Sequence, residues 1–318
     1  MTEIAVVIPS WNTAAHIERC VAAAVSQEGV EVELLVVENG SRDGSSEVLR
    51  ELGVPLLELQ ENVGFARAVN LGAARTRAPF VLVLNADCFL AAGCALALSQ
   101  ALAADPGLGG TQPRIVQAGP GPPVLYSAGQ LLTRHGSAFE RGWGEPDGAD
   151  FDDGGEVFGV SGAACLLRRE LFADLGGYDE TYFAFYEDVD LNARARLAGW
   201  RFAYVPDARA VHVGHAGWGG SDGGRILNVE RTVRNRLATA LKVLPPGGVA
   251  GALALTARTL AASPFRHTAR AALAGALAAI RAAPGLLAQR RRLRAGSCEL
   301  LDGALVRGRG RGPDPRRA

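Results

Sequence analysis

The chain has 318 residues, 48% of them hydrophobic and 21% charged. That composition excludes wholesale disorder and suits one large domain or two modest ones of ~100–200 residues each. Five scattered cysteines, with no CxxC pair among them, exclude a disulfide framework and a cysteine zinc site and fit a reducing compartment.

A formal net charge of +0 conceals an asymmetry. Residues 1–233 hold 17 Arg and 30 acids, a net of −13, whereas residues 234–318 hold 16 basic residues and 3 acids, a net of +13. A basic tail on an acidic body points to an anionic partner, either a membrane surface or nucleic acid. The opening MTEIAVVIPSWN has neither the basic stretch nor the apolar core of a signal peptide, so a cytoplasmic location is expected. No run of ~18 apolar residues free of charge is found, so no membrane span is expected. The best stretch, Val249 to Phe265, is broken by Arg258 and Pro264.

In chain order, Ile4 to Ile8 reads as a buried strand stopped by Pro9. Ala14 to Ser26 has a helical pattern. Strands follow at Glu33 to Val37, Pro55 to Leu59 and Phe80 to Leu84, separated by helices at Ser45 to Leu52 and Gly64 to Thr76. Strand–helix alternation over ~90 residues predicts an α/β unit with a central mixed, mainly parallel sheet. Ala91 to Ala104 is a further helix. From Gly107 to Gly155 the periodicity fails, and Gly and Pro predict loops and antiparallel excursions at a rim. A strand is predicted over Val157 to Leu167, a helical turn over Arg169 to Asp174, a helix over Val189 to Ala198, and strands at Trp200 to Val205 and Ala210 to Val213. Ala/Leu/Arg helices are predicted over Asn228 to Val243, Val249 to Ala262, His267 to Ala283 and Leu286 to Arg294. The organisation expected is an α/β domain at 1–245, a basic amphipathic helical extension at 246–300 and a disordered tail at 301–318, ending in RGRGRGPDPRRA.

Ligands of open α/β sheets bind beyond the carboxyl ends of the strands. Three predicted strand ends carry polar residues that a core does not need: Pro9 to Asn12, Glu38 to Ser45, and Asn85 to Asp87. Turn chemistry explains each singly, but their joint occurrence favours a site. No GxGxxG follows the first strand and no GxxxxGK[ST] occurs, which removes the main support for a dinucleotide fold or a P-loop. Asp87 at a strand end can hold a divalent cation through oxygen. Glu187, Asp188 and Asp190 open a helix in greater number than capping requires, and mutual repulsion suits one of them to general-base work. The small residues of 160–164 could floor a pocket, and Tyr182, Phe183, Phe185 and Tyr186 are either core or a sugar platform. His212 and His215 could add a metal ligand.

Taken in order, VVIPSWN (6–12), VVENGSRDGS (36–45), NVGFARAVNLG (62–72), LNAD (84–87), SGAACLLRRELFADLGGYDETYFAFYEDVDLNARARLAGW (161–200), VHVGHAGWGGS (211–221) and RTVRNRLATALK (231–242) resemble family 2 glycosyltransferases of the GT-A fold, rhamnosyltransferase-like members above all. The likeness covers roughly residues 3–245. It implies that Pro9, Trp11, Glu38 and Asn39 hold the nucleotide, with Glu38 where the family usually has Asp. Arg67, Asn85, Gly162 and Arg234, the last paired with Asn235, are implied near the donor. Asp87 matches the last acid of the DxD metal motif, whose first acid is Asn85 here. Asp188, beside Glu187, matches the catalytic base, and His212 matches a histidine that reaches the metal or the diphosphate.

The activity implied is inverting transfer of a sugar, rhamnose from a donor such as dTDP-rhamnose, to a hydroxyl of a glycan or lipid-linked saccharide in cell-surface polysaccharide synthesis. Mg²⁺ or Mn²⁺ is the implied cofactor. Peripheral contact of the basic helices with the inner membrane face is weighed against a simple helical subdomain. Two rival readings are a sugar-1-phosphate nucleotidyltransferase, which lacks its Gly-rich basic loop here, and a non-catalytic nucleotide-sugar binder. An RNA-binding tail would leave the acidic body unexplained, so no nucleic-acid partner is expected.

Overall fold

The computed structural model describes residues 1–214, 222–262 and 266–293. The predicted tail at 301–318 and His215 lie outside the described residues. Strand and helix alternate at the start: β1 (Thr2–Ser10), α1 (Ile17–Val25), β2 (Val30–Asn39), α2 (Ser45–Leu52), β3 (Leu56–Leu59), α3 (Phe65–Ala73), β4 (Phe80–Leu84) and β5 (Cys88–Leu90). Then come α4 (Cys94–Ala104), β6 (Leu108–Gln117), β7 (Leu125–Ser127), β8 (Gln130–Leu132), β9 (Ala138–Glu140), β10 (Gly155–Val157) and β11 (Ala164–Arg168). The chain continues through α5 (Arg169–Asp174), α6 (Glu187–Leu197), β12 (Arg201–His212), α7 (Asp222–Val243), α8 (Pro246–Ala262) and α9 (Arg266–Leu293).

The main sheet runs β10-β12-β6-β11-β4-β1-β2-β3. β1 pairs in parallel with β2 and β4, β2 with β3, and β6 with β12. β11 is antiparallel to both β4 and β6. Ile4 to Ile8 and Val81 to Leu84 are wholly buried because both faces of the sheet are covered. Successive side chains of a strand point to opposite faces. Val6, Ile8 and Leu82 accordingly pack with α1 and α4 residues such as Ile17 and Leu98. Val7, Val81 and Val83 pack on the other face with Val69, Leu171 and Leu191.

β6 is a full sheet strand where loops were expected. Its signal is hidden by Gly109, Gly110 and Pro113, each of which has a packing reason. A Cβ on Gly109 would sit 2.1 Å from Leu171 Cδ1, and one on Gly110 would sit 2.8 Å from Leu167 Cδ2. Pro113 has no N–H to donate, and it lies where the β6–β12 register shifts between Val205 and Arg209. That same bulge lies between the two strands predicted at 200–213, which form one strand, β12. The strand predicted over 157–167 divides instead into β10 and β11. Phe158 and Val160, on the loop between them, are buried by packing rather than by strand pairing. The two helices predicted around Pro284 are one helix, α9. The ring removes a single helical hydrogen bond, the one to Ile280, and both residues are exposed, so water can satisfy that carbonyl.

α7 packs against α6 and also against α8 and α9. Val189, Ala193 and Leu197 of α6 pack against Val233 and Leu237 of α7, which also meets Ala272 and Ala279 of α9. Lys242, 1% exposed, joins the two layers: its Nζ donates to Asp179 Oδ2 at 2.8 Å and lies 2.6 Å from Asp190 Oδ1.

Candidate active site

Strand ends of the sheet and the start of α6 surround a cavity of about 490 Å³. Pro9, Ser10 and Trp11 line it after β1, and Asn39 at the end of β2. Asn85 and Asp87 line it after β4, and His212 at the end of β12. Glu187 and Asp188 line it from the first turn of α6, with Gly162 on the loop before β11. Asp87 and Asp188, about a hundred positions apart, therefore share one cavity.

On one wall His212 Nε2 lies 3.0 Å from Asp87 Oδ1 and 3.4 Å from Asn85 Nδ2. The edge-on ring of Tyr126, 4.4 Å between centroids, braces the imidazole, and Trp143 packs edge-on against Tyr126. His212 Nδ1 is buried with no partner among the described residues. A carboxylate and an imidazole converging on one cavity form a donor pair that suits a divalent cation. No group of three or more His, Cys, Asp or Glu that could hold a metal occurs among the described residues. Two protein ligands would leave the remaining positions to substrate oxygens.

Asp188 is held at the cavity by three donors. Its Oδ2 accepts from Gln130 Nε2 at 2.7 Å and from the Gly162 N–H at 2.9 Å, and its Oδ1 accepts from the Val189 N–H at 2.7 Å. Burial pushes this carboxyl up, against the pull of those donors. Glu187 is pushed well above the usual range by burial and then by the charge of Asp188, and its buried Oε2 has no partner among the described residues. Donors to the charged form favour ionisation, so of the two acids Asp188 is the one equipped to be the carboxylate. Asp190, the third acid, is not at the cavity. It is fully buried and bonded to Arg194 Nε at 2.7 Å and to the Tyr182 hydroxyl at 3.1 Å.

The turn that delivers Glu187 is strained. Phe183, Phe185 and Tyr186 have φ of 61°, 67° and 68°, values that cost of order 1–3 kcal/mol each and persist only where the surroundings enforce them. Asn235 Nδ2 enforces them, donating to the carbonyls of Tyr182, Ala184 and Phe185 at 3.0, 3.0 and 2.7 Å. Arg234 donates to Thr181 O at 2.6 Å. The Arg-Asn pair thus supports the site from α7, and Arg234 itself does not line the cavity.

Two other expected residues are also outside the lining. The Glu38 carboxylate accepts from the N–H groups of Gly40 and Ser41 at 3.1 and 2.7 Å and fixes that turn. Arg67 is exposed on α3, its Nε 3.8 Å from Glu180 Oε2. Of the four aromatics of 182–186, Phe185 and Tyr186 line the cavity, and Tyr182 is core. Tyr126, Gln130, Glu140 and Trp143 line it as well. They come from the stretch without periodicity, where three-residue strands leave no pattern to read.

The sequence profile described as "Glycosyl transferase family 2" matches residues 5–176, more than half of the chain. The chain belongs to glycosyl transferase family 2. Within that family it is 33% identical over 243 residues to the N-acetylglucosaminyl-diphospho-decaprenol L-rhamnosyltransferase of Mycobacterium tuberculosis, covering 67% of this chain and 76% of the relative. The GT-A glycosyltransferase fold is shared with TarS residues 1–349 of S. aureus (TM-score 0.58, 15% identity, 96% of this chain and 90% of that one). It is shared too with the mannosyltransferase PcManGT of Pyrobaculum calidifontis, solved with GDP-Man and Mn2+ (TM-score 0.53, 19% identity, 92% and 85%). The family 2 protein is thus a glycosyltransferase, with a mixed sheet and a helical C-terminal part.

Proposed function

We propose that this enzyme transfers a rhamnose-type sugar, with inversion, from a nucleotide diphosphate to a hydroxyl of a lipid-linked saccharide during cell-surface glycan assembly. The observation that carries this is the convergence of Asp87, His212 and Asp188 on one cavity, beside the name of the 33% identical relative. On this reading Pro9, Trp11 and Asn39, which line the cavity, take the nucleotide, and Asn85 and Gly162 take the sugar. Asp188 Oδ2 takes the proton of the acceptor hydroxyl as its oxygen attacks the anomeric carbon. The bond from that carbon to the diphosphate breaks on the opposite face, and its electron pair leaves on the phosphate oxygen, so the configuration inverts. Asp87 and His212 would hold a divalent cation, which when bound neutralises charge developing on the diphosphate. The Gly162 N–H and Gln130 hold the base in register, and neutral Glu187 limits repulsion of the anionic donor.

Binding tests the Asp87 role without turnover. Addition of dTDP with Mn²⁺ is expected to raise the melting temperature, by the equivalent of about 2.7 kcal/mol at a hundredfold excess over Kd. Asp87→Ala is expected to abolish the Mn²⁺-dependent part of that rise. An equal rise in both proteins would remove Asp87 from the metal site.

We further propose that the chain touches a membrane surface through α9. Ala271, Ala272, Gly275 and Ala279 face inward, and a Cβ on Gly275 would lie 2.2 Å from Glu230 O of α7. Leu273, Leu277, Ile280 and Leu287 are 49%, 42%, 59% and 43% exposed, within a sector of roughly 80° at 3.6 residues per turn. Exposed Arg266, Arg270, Arg291 and Arg292 stand at its two ends. α9 is long and apolar enough to cross a bilayer, but one face is committed to α7. Lying in the headgroup layer satisfies both faces, with ~1 kcal/mol per arginine from anionic lipid. The protein is expected to float with phosphatidylglycerol-containing vesicles and not with pure phosphatidylcholine. Leu277→Glu with Ile280→Glu is expected to abolish flotation. Equal flotation of both proteins would refute this seating.

A further inference from the structure

Glu140, the last residue of β9, brings to the cavity a carboxylate that the chemistry above does not use. Its Oε2 accepts from Ser127 Oγ at 2.5 Å, and its Oε1 from Ser161 Oγ at 3.2 Å and from Gln130 Nε2 at 3.3 Å. The same Gln130 nitrogen donates to Asp188 Oδ2 at 2.7 Å. An amide nitrogen carries two hydrogens, so one amide bridges two acids. The bridge has a fixed orientation. Gln130 Oε1 accepts from Asn192 Nδ2 at 2.8 Å, and that nitrogen also donates to Val160 O at 2.8 Å, which defines both amides. The Ser127 hydroxyl is likewise committed, since its oxygen already accepts from Gln112 Nε2 and from the Gly129 N–H.

We propose that Glu140 is a positioning residue that acts on Asp188 through the shared Gln130 amide, fixing the direction of the attacking base and adding like charge that strengthens it. The proposal rests on Asp188 being the base. Two carboxylates in contact through one amide titrate as a pair. The other titratable groups near this pair are Tyr126 from β7, Tyr186 and Glu187 at the start of α6, Asp87 and His212 on the cavity lining, and Cys165 of β11 with Tyr178 behind it. Arg141, the nearest cation in sequence, turns away to stack on Phe151 and Tyr204, each 5.4 Å from its guanidinium carbon. No cation therefore relieves the pair among the described lining residues. Burial and then the Asp188 charge bring Glu140 up to about 7, so a second charge enters the site near neutral pH.

The test is a carboxyl titration by ¹³C NMR of the full-length protein labelled at Asp Cγ and Glu Cδ, which needs no substrate. The Asp188 signal is identified by its loss in Asp188→Asn. In the parent the Asp188 signal is expected to shift a second time as Glu140 ionises near pH 7, and in Glu140→Gln that second step is expected to vanish. In Gln130→Met, which removes a donor and leaves both acids, the Asp188 midpoint is expected to rise. A parent without that second step, a second step that persists in folded Glu140→Gln, or a midpoint unmoved in folded Gln130→Met overturns the proposal, and a purely structural Glu140 would lower the melting temperature and leave the Asp188 titration unchanged. Transfer from dTDP-rhamnose to a short-chain lipid-diphospho-N-acetylglucosamine separates this from the underlying reading. Transfer surviving in Asp188→Asn sinks the base assignment. Transfer lost there, with an unmoved titration in Glu140→Gln, sinks only the role of Glu140.

Discussion

Asp188→Asn is expected to lower the rate of glycosyl transfer by about 10²–10⁴-fold, the contribution typical of a general base. The substitution keeps the size of the side chain, and its amide oxygen can still accept from Gly162 and Gln130, the Oδ2 partners of the native carboxylate. The amide nitrogen then faces the Val189 N–H that Oδ1 accepts from. One lost hydrogen bond costs about 1 kcal/mol, too little to unfold the domain. Initial rates, with a melting curve alongside, check the result. A variant within tenfold of the parent would remove Asp188 from proton transfer. The sign of the pH dependence follows from the raised carboxyl. The acid must be ionised to act, so activity rises as pH passes its folded value. The stability it contributes is present below the ordinary carboxylate range and is lost as pH rises through that raised value. The base is thus most active where it stabilises the fold least, and Asp188→Asn should cost less stability at pH 8 than at pH 5.

Lys242→Met is expected to destabilise the protein by about 3–5 kcal/mol, because a buried carboxylate that loses its partner stays uncompensated. Lys242 is 1% exposed and bridges Asp179 and Asp190. Asp190 keeps Arg194 at 2.7 Å, so most of the cost falls on Asp179. Burial pushes the Asp179 carboxyl up, yet Lys242 overrides this and holds it at about 2. That stabilisation is complete above the ordinary aspartate range near 4 and is lost as pH falls through about 2. Urea denaturation at pH 7 should therefore separate the parent and Lys242→Met widely, and at pH 2–3 the two curves should approach each other. A gap that does not change with pH would mean that Lys242 acts through packing alone. Because the bridge joins α6 to α7, the variant should also lose transfer activity before it loses secondary structure.

Much of this architecture is legible in the amino-acid sequence. A strand buried on both faces must be apolar at every position, so Ile4 to Ile8 and Phe80 to Leu84 stand out as unbroken runs. Helices that cover such a sheet need one apolar stripe, which gives α1 and α3 their period. Asp87 and Asp188 were legible for a related reason. A charged residue three positions past a buried strand, or in excess at a helix start, has no packing explanation.

What stayed hidden was whatever depends on partners far along the chain. The acids of 187–190 look alike in sequence, and their fates differ only because Asp190 meets Lys242 whereas Asp188 meets Gln130, 58 positions away. Arg67 and Arg234 carry the charge expected of donor ligands, but the fold turns one toward Glu180 and the other toward the Thr181 carbonyl. β6 was masked by two glycines and a proline whose reasons are a leucine on α5, a leucine on β11 and a bulge in β12. Local physics, the solvation and period of a segment, is written in consecutive residues. The ionisation and direction of a buried side chain depend on which groups surround it, and for Glu140, Gln130 and Asp188 only folding brings those groups together.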